Sequence, residues 1–289
     1  MTSLGGKRCI SLSLTVLYKK VLLMPVRSAL MNVMFKAAEK AAKGLVRDFG
    51  EVEHLQVSRK GPADFVSTAD LNAQKILRQE LSKARPEFGF LMEEADGFPD
   101  TSTKTERWII DPLDGTSNFL HGLGHWAISI GAERAGELIA ALVYDPIKNE
   151  SFWAEKGMGA YSSSKRLRVS GRKDFADCLI ATGTPFKGIM NKKPNFSKQL
   201  DAVMPKVAGI RRFGAAALDL AYVAAGRYDG FWEESLMPWD CAAGILLVKE
   251  AGGFVAPISP KESPLLSGSL IASNAEIHEP LIKLIRAAK

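Results

Sequence analysis

Carboxylates supply the first chemical signal in this 289-residue chain. Trp108-Ile109-Ile110-Asp111-Pro112-Leu113-Asp114-Gly115-Thr116-Ser117-Asn118-Phe119 is an apolar run that ends in two aspartates, with a glycine and two hydroxyls just behind them. Two like charges held close call for a cation or a proton between them. A hard divalent cation meets that demand, because it takes oxygen ligands. Gly115 lets the backbone approach a ligand closely. The amides of Gly115 to Asn118 are placed to open a helix and cradle an anion. A metal beside an anion cradle points to phosphate chemistry.

Other acids recur at the ends of apolar runs or the starts of helices. Phe88 to Glu94 reads as a short strand that ends in Glu93-Glu94. Such a pair is either simply solvated or a metal ligand set, and its place at the end of an apolar run repeats that of Asp111. Ser67 and Asp70 have the spacing of a capping box, so local sequence makes Asp70 a first-turn acid favoured by the helix dipole. Asp240, after Pro238-Trp239, also reads as a cap or dipole partner. Its small neighbours Cys241-Ala242-Ala243-Gly244 leave room for something to approach. Asp219 falls mid-helix and reads as structural. His121 and His125 have the helical spacing of a zinc pair. Gly122 and Gly124 argue against a helix there, and no third ligand is in view. No Cys or Ser stands beside a His in these motifs, so nothing calls for a covalent nucleophile.

Stepping outward, these acids need strands and helices to carry them. Trp108 to Ile110 reads as a buried strand that stops at Pro112, which cannot donate to a ladder. An apolar stripe predicts a packing helix over Val26–Val46, and a second helix runs from the Ser67 cap to about Arg85. Gly61-Pro62 marks a turn, and Gly97 to Glu106 a polar loop. Trp126–Glu133, Leu138–Asp145 and Ser151–Glu155 read as an antiparallel meander. The second half alternates. Strands are expected at Cys178–Gly183, Gly209–Phe213, Tyr228–Glu233 and Ser269–Ser273. Helices are expected at Phe196–Val207, Ala215–Ala225, Trp239–Ala251 and Glu276–Ala288. That alternation predicts an α/β arrangement.

Composition is that of an ordinary globular chain, 46% hydrophobic and 24% charged. The net charge of +6 suits an anionic substrate or a nucleic-acid surface and chooses neither. Basic runs such as Lys19-Lys20 and Lys192-Lys193 read as solvated faces. Three scattered cysteines without a CxxC fit a reducing cytoplasm. No stretch of ~20 apolar residues predicts a membrane span. Lys7-Arg8 and the apolar Cys9–Tyr18 mimic a weak signal peptide, but Lys19-Lys20 interrupts it and no small-residue cleavage site follows. Residues 1–25 are therefore expected to form a poorly ordered extension, with Met24 or Met31 as candidate starts.

Three blocks together resemble the inositol monophosphatase family, within the lithium-sensitive, magnesium-dependent sugar-phosphate phosphatases. They are Phe90-Leu91-Met92-Glu93-Glu94, Trp108 to Asn118, and Trp239-Asp240 with Ala-Ala-Gly and a closing Glu250-Ala251-Gly252-Gly253. The likeness covers about residue 26 to the C-terminus. Gly214-Ala215-Ala216-Ala217-Leu218-Asp219-Leu220-Ala221-Tyr222 brings it nearest to bacterial members. The chain departs at Met92, where small or polar residues are usual, and at Ala215, where Ser or Thr is common. Ala215 removes one possible hydroxyl contact, which leaves substrate identity open.

The resemblance implies an αβαβα sandwich of mixed α/β, α+β-layered type, with halves at about 26–170 and 171–289, usually as a homodimer. It implies two or three Mg²⁺ ions. Glu93, Asp111 and the Leu113 carbonyl would bind one, and Asp111, Asp114 and Asp240 another. Asp70 and Thr116 would orient and activate the attacking water, with Glu93 close to it. Gly115 and Thr116 amides would hold phosphate, alongside Leu113 and Asp114. Gly214, Ala215, Ala216 and Glu233 would face polyol hydroxyls, with Asp240 nearby. The expected activity is hydrolysis of inositol monophosphate. Alternatives are the same chemistry on fructose 1,6-bisphosphate, a nucleotide 3′-phosphate or NADP, or a regulatory, RNA-associated binding role.

Overall fold

The computed structural model describes residues 26–51, 57–61, 64–94, 103–185 and 195–288. The expected extension over 1–25, most of the loop after Glu94 and the Lys192-Lys193 pair lie outside those residues. Among the described residues no helix is long and apolar enough to cross a membrane.

Two large sheets alternate with three helical layers, and a two-stranded sheet of Val57–Gly61 and Asp64–Ser67 stands apart from them. The chain starts with helix α1 (Ala29–Phe49), then strands β1 (Val57–Gly61) and β2 (Asp64–Ser67), then α2 (Thr68–Ala84). A seven-stranded sheet follows in simple order: β3 (Gly89–Met92), β4 (Glu106–Asp114), β5 (Ala127–Arg134), β6 (Glu137–Asp145), β7 (Glu150–Glu155), β8 (Gly159–Ser162) and β9 (Lys165–Arg166). Only β3 and β4 run parallel in it. In β6, Ala140 and Leu142 join one core while Ala141 and Val143 join another; in β7, Trp153 and Phe152 divide the same way. Successive strand side chains point to opposite faces, so both faces of this sheet are buried.

Helices α1 and α2 cover one face, with Met31, Met34, Leu77 and Leu81 against Trp108, Ile110 and Ile130. The other face meets α5 (Ala216–Ala224) and α6 (Pro238–Glu250). Helix α6 is buried from Cys241 to Val248. Its sequence is apolar all round, as a helix enclosed between two layers requires. Beyond these helices lies a five-stranded sheet of order β11-β10-β12-β14-β13. Its strands are β10 (Leu179–Thr182), β11 (Gly209–Arg211), β12 (Gly230–Glu233), β13 (Phe254–Pro257) and β14 (Leu270–Ser273). Phe231 and Trp232 again divide between two cores. The outermost layer is α4 (Phe196–Val203) with α8 (Ala275–Ala287). Two short helices, α3 (Thr116–Leu120) and α7 (Pro264–Ser267), complete the element order. The architecture is the expected αβαβα sandwich.

Several local expectations need correction. Strand β4 does not stop at Pro112 but runs on to Asp114. Its register against β5 shifts between Asp111 and Asp114, where three steps on β4 oppose two on β5. Proline is accommodated because a bulge leaves the extra residue without a ladder bond to make. Helix α1 starts at Ala29 behind Ser28, whose hydroxyl accepts from Met31 N at 3.1 Å. The helix expected over Phe196–Val207 turns into a 3₁₀ turn at Met204–Lys206, where Pro205 ends the α pattern. The second sheet is mixed: β10 is parallel to β11 and β12, whereas β14 is antiparallel to β12 and β13. The short elements β1, β2, β8, β9, β13 and α7 carry too little periodicity to be read from sequence.

Gly244 sets how closely the two middle helices approach. A Cβ there would meet Leu220 Cβ at 2.4 Å. Alanine gains ~1 kcal/mol of helix propensity over glycine, but overpacking costs ~1–3 kcal/mol. The clash is with an atom fixed to the backbone, so it wins. Gly244→Ala is expected to lower stability by ~1–2 kcal/mol, read as a lower urea midpoint at unchanged slope. An unchanged or raised midpoint would show that the helices can separate freely.

Candidate active site

The bulge that ends β4 turns two consecutive acids inward. Asp111 is 2% exposed and Asp114 7% exposed. Asp111 Oδ1 accepts from Leu113 N at 2.8 Å, which closes the bulge on itself. Gly115 then takes φ of 94°, a left-handed conformation suited to glycine. A Cβ at this residue would also lie 3.1 Å from His125 O and 3.3 Å from Ala215 Cβ. Helix α3 starts directly after it and gives its first amides no side-chain cap.

Each remaining acid arrives on a different element. Asp70 is fully buried in the first turn of α2, within the predicted capping box. Its Oδ2 accepts from Ser67 N at 3.0 Å and from the Ser67 hydroxyl. Its Oδ1 accepts from Thr116 Oγ1 at 3.2 Å, and the same hydroxyl lies 3.1 Å from the Leu113 carbonyl. Glu93 lies just past the end of β3, the parallel neighbour of β4. Asp240 stands in the first turn of α6, with Oδ2 accepting from Met237 N at 2.7 Å. Glu233 ends β12, its carboxylate packed so closely on Gly183 that a Cβ there would fall 1.8 Å from Oε1.

These elements enclose a cavity of about 320 Å³. Every residue predicted from sequence lines it, from Glu93 and Asp111 through Gly115 and Gly214 to Glu233 and Asp240, with the exception of Asp70. Asp70 reaches the cavity through its bond with Thr116. Three other participants escaped sequence reading. Arg212 lines the wall next to Gly214 as a cation among acids. Asn118 donates to His125 O at 2.8 Å and Phe213 O at 2.7 Å, joining α3 to the loop before Gly214. Gln74, one turn after Asp70 on α2, pairs with the backbone of Glu94. Arg212 had a signal in its adjacency to Gly214; the two amides had none.

Burial and mutual repulsion shape the charges. Burial pushes Asp111 well above the usual carboxylate range, and Glu93, Asp114 and Asp240 add to the rise. Asp114 is raised by burial and then by Asp240, against the bond from Ala217 N at 2.8 Å. Burial also raises Asp70, while the Ser67 bonds resist. His125 is lowered to about 4, chiefly by burial, and stacks on Phe213 with ring centroids 4.9 Å apart. His121 instead contacts Ser117 O at 2.7 Å from an exposed turn, and α3 ends before it at Leu120, so no helical zinc pair forms.

Among the described residues no three carboxylate, imidazole or thiol side chains stand close enough together to hold a metal ion as they are placed. The donor chemistry still fits a hard divalent cation. The donors are oxygens throughout, and the raised carboxylates are those that a cation would relieve.

Comparison with known proteins agrees with the fold. The model of the inositol monophosphatase family matches residues 23–289. A relative from Rhizobium meliloti named inositol-1-monophosphatase is 53% identical over 90% of this chain and 97% of its own length. A Pseudomonas aeruginosa relative named Nus factor SuhB is 40% identical over 89% of this chain and 96% of its own. The crystal structure of the extragenic suppressor protein suhB from Bartonella henselae superposes with a TM-score of 0.86. It is 51% identical and covers 91% of this chain and all of its own. The chain belongs to the inositol monophosphatase family and is an enzyme of the phosphatase class.

The repulsion has a measurable sign. Asp111 is raised in the folded state, so its contribution to stability is present below the ordinary Asp value of 3.8 and is lost as pH rises through the folded value. In chelator at alkaline pH, Asp111→Asn is therefore expected to melt above wild type, and the gap to shrink as pH falls towards the ordinary Asp value of 3.8. A variant that melts below wild type at alkaline pH would show that the carboxylate is not under strain.

Proposed function

We propose that this chain is a Mg²⁺-dependent phosphomonoesterase that hydrolyses inositol monophosphate to myo-inositol and phosphate. The single observation behind the reading is one cavity that joins buried carboxylates to an uncapped helix start at Gly115–Thr116. Glu93, Asp111 and the Leu113 carbonyl would hold one Mg²⁺, and Asp111, Asp114 and Asp240 another; the family likeness extends the count to two or three. When bound, these ions would offset the carboxylate charge, clamp the attacking and leaving oxygens, and lower the pKa of a water.

The chain's own groups supply orientation and proton handling. The amides of Gly115 and Thr116 would donate to phosphate oxygens, as helix starts do. Thr116 Oγ1 donates a hydrogen bond to Asp70 Oδ1. Its lone pairs are then available to accept a proton from an attacking water, and Asp70 receives the proton passed through Thr116. Burial moves Asp70 upward, towards the pH at which a general base works well. The water oxygen bonds to phosphorus as the ester P–O bond breaks. The polyol oxygen departs with that electron pair and takes up a proton from solvent. Glu233 would accept from polyol hydroxyls, and a polar wall discriminates strongly against substrates that leave it unpaired. Gly214, Ala215 and Ala216 form the adjoining wall, where Ala215 offers shape but no hydroxyl. The reading carries with it lithium inhibition and a homodimer, drawn from the family likeness, and a cytoplasmic location, drawn from the scattered cysteines.

Wild-type protein is expected to release phosphate from inositol 1-phosphate with Mg²⁺ and to stop in chelator. Asp70→Asn is expected to lower kcat ~10²–10⁴-fold with little change in KM. Failure to release phosphate from any small monoester would remove the proposal. Much faster turnover of adenosine 3′,5′-bisphosphate, fructose 1,6-bisphosphate or NADP would move the substrate assignment.

A second reading, a regulatory binding role, has its own observation: relatives such as that of Pseudomonas aeruginosa carry the name Nus factor. Asp114→Asn separates the two. It should abolish phosphatase activity and leave a binding role intact.

A further inference from the structure

We infer that Gln74 is a positioning residue for Glu93, and the inference rests on the Mg²⁺ reading of the site. Gln74 is 0% exposed on α2, one turn after Asp70. Its side-chain amide pairs with both backbone groups of Glu94. Nε2 donates to Glu94 O at 2.7 Å, and Glu94 N donates to Oε1 at 3.1 Å. This is the pairing a neighbouring strand would make. It occurs where the ladder between β3 and β4 ends, at Met92 opposite Ile110.

Glu93 is therefore held between two fixed neighbours. Met92 is in register with Ile110, the residue before Asp111, and Glu94 is clasped by Gln74. The side chain between them is delivered alongside Asp111. One helix thus sets two carboxylates, Asp70 by carrying it and Glu93 through an amide clasp. A primary amide of this length supplies a donor and an acceptor in one plane without any change of protonation. A buried amide that satisfies both is a rigid anchor, whereas one left unpaired would be costly. The clasp also explains a buried glutamine on a helix that buries Ala69, Ala73, Leu77 and Leu81 beside Asp70.

The test is calorimetric titration of the purified full chain with Mg²⁺ alone, with phosphate release measured in parallel. Gln74→Met keeps the volume and loses both bonds. It is expected to bind Mg²⁺ ~10–100-fold more weakly, the usual effect of losing support behind a metal ligand. KM for inositol 1-phosphate at saturating Mg²⁺ should stay near wild type. Gln74→Glu keeps the acceptor and loses the donor. Its added charge would by itself attract a cation, so weaker Mg²⁺ binding in this variant isolates the lost clasp. Leu77→Ala, a buried change one turn further along the helix, controls for destabilisation: it should lower the melting temperature and leave Mg²⁺ affinity alone. Wild-type affinity in both Gln74 variants overturns the inference, as does equal weakening in Leu77→Ala. Absence of Mg²⁺ binding by wild type overturns the site reading itself, and this inference with it.

Discussion

Asp111 and Asp114 sit buried at the end of β4, one strand in from the sheet edge, with Glu93 and Asp240 near enough to raise Asp111 further. Their repulsion is the constraint that the rest of the molecule answers. Like charges with little water around them separate or protonate unless something holds them. The chain holds them with main-chain amides. Leu113 N serves Asp111, Ala217 N serves Asp114, Ser67 N serves Asp70 and Met237 N serves Asp240. Each bond favours the charged form and fixes one carboxylate oxygen. Burial acts in the opposite direction and is the larger effect on Asp70, Asp111 and Asp114. Acids kept in place with their pKa values raised by burial and by one another mark a functional site.

Such a site needs a stiff frame. Helices α5 and α6 lie between the two sheets and start at the cavity, so their first turns are held by apolar layers on both sides. Close packing at Gly244 and Leu220 leaves those turns little room to shift. The tolerances of a site on such elements are finer than loops alone provide. The sheet faces away from these helices are closed by the two outer helix pairs.

The two sheets contribute different parts of the cavity, and a few polar bonds keep them in register. The first carries Asp111, Asp114 and the turn at Gly115; the second brings Glu233 and the wall around Gly214. Asn118 bonds the loop before Gly214, Asp114 receives the amide that opens α5, and Ser129 Oγ donates to Trp239 O at 3.2 Å beside Asp240. At the other end of α6, Glu250 accepts from Gly157 N and Gly159 N at 2.8 Å each. Both ends of α6 are thus tied to the first sheet.

Sequence alone determined the parts whose physics is local. The apolar run into Asp111, the Ser67–Asp70 capping box, the meander and most helices follow from periodicity and caps acting over a few residues. The family blocks, read by resemblance, also named the cavity-lining residues, although local rules made Asp70 and Asp240 mere first-turn acids. Asp70 is in fact both, a cap acid whose second oxygen reaches Thr116. Tertiary structure alone decided the bulge that carries β4 past Pro112, the mixed pairing of the second sheet, and the service of Gln74, Asn118 and Arg212. The distant partners of the two amides lie 20 residues away for Gln74 and 95 for Asn118, at points set by how layers stack. No propensity or spacing along the chain encodes where such a hydrogen bond will land, because the packing of distant elements chooses it.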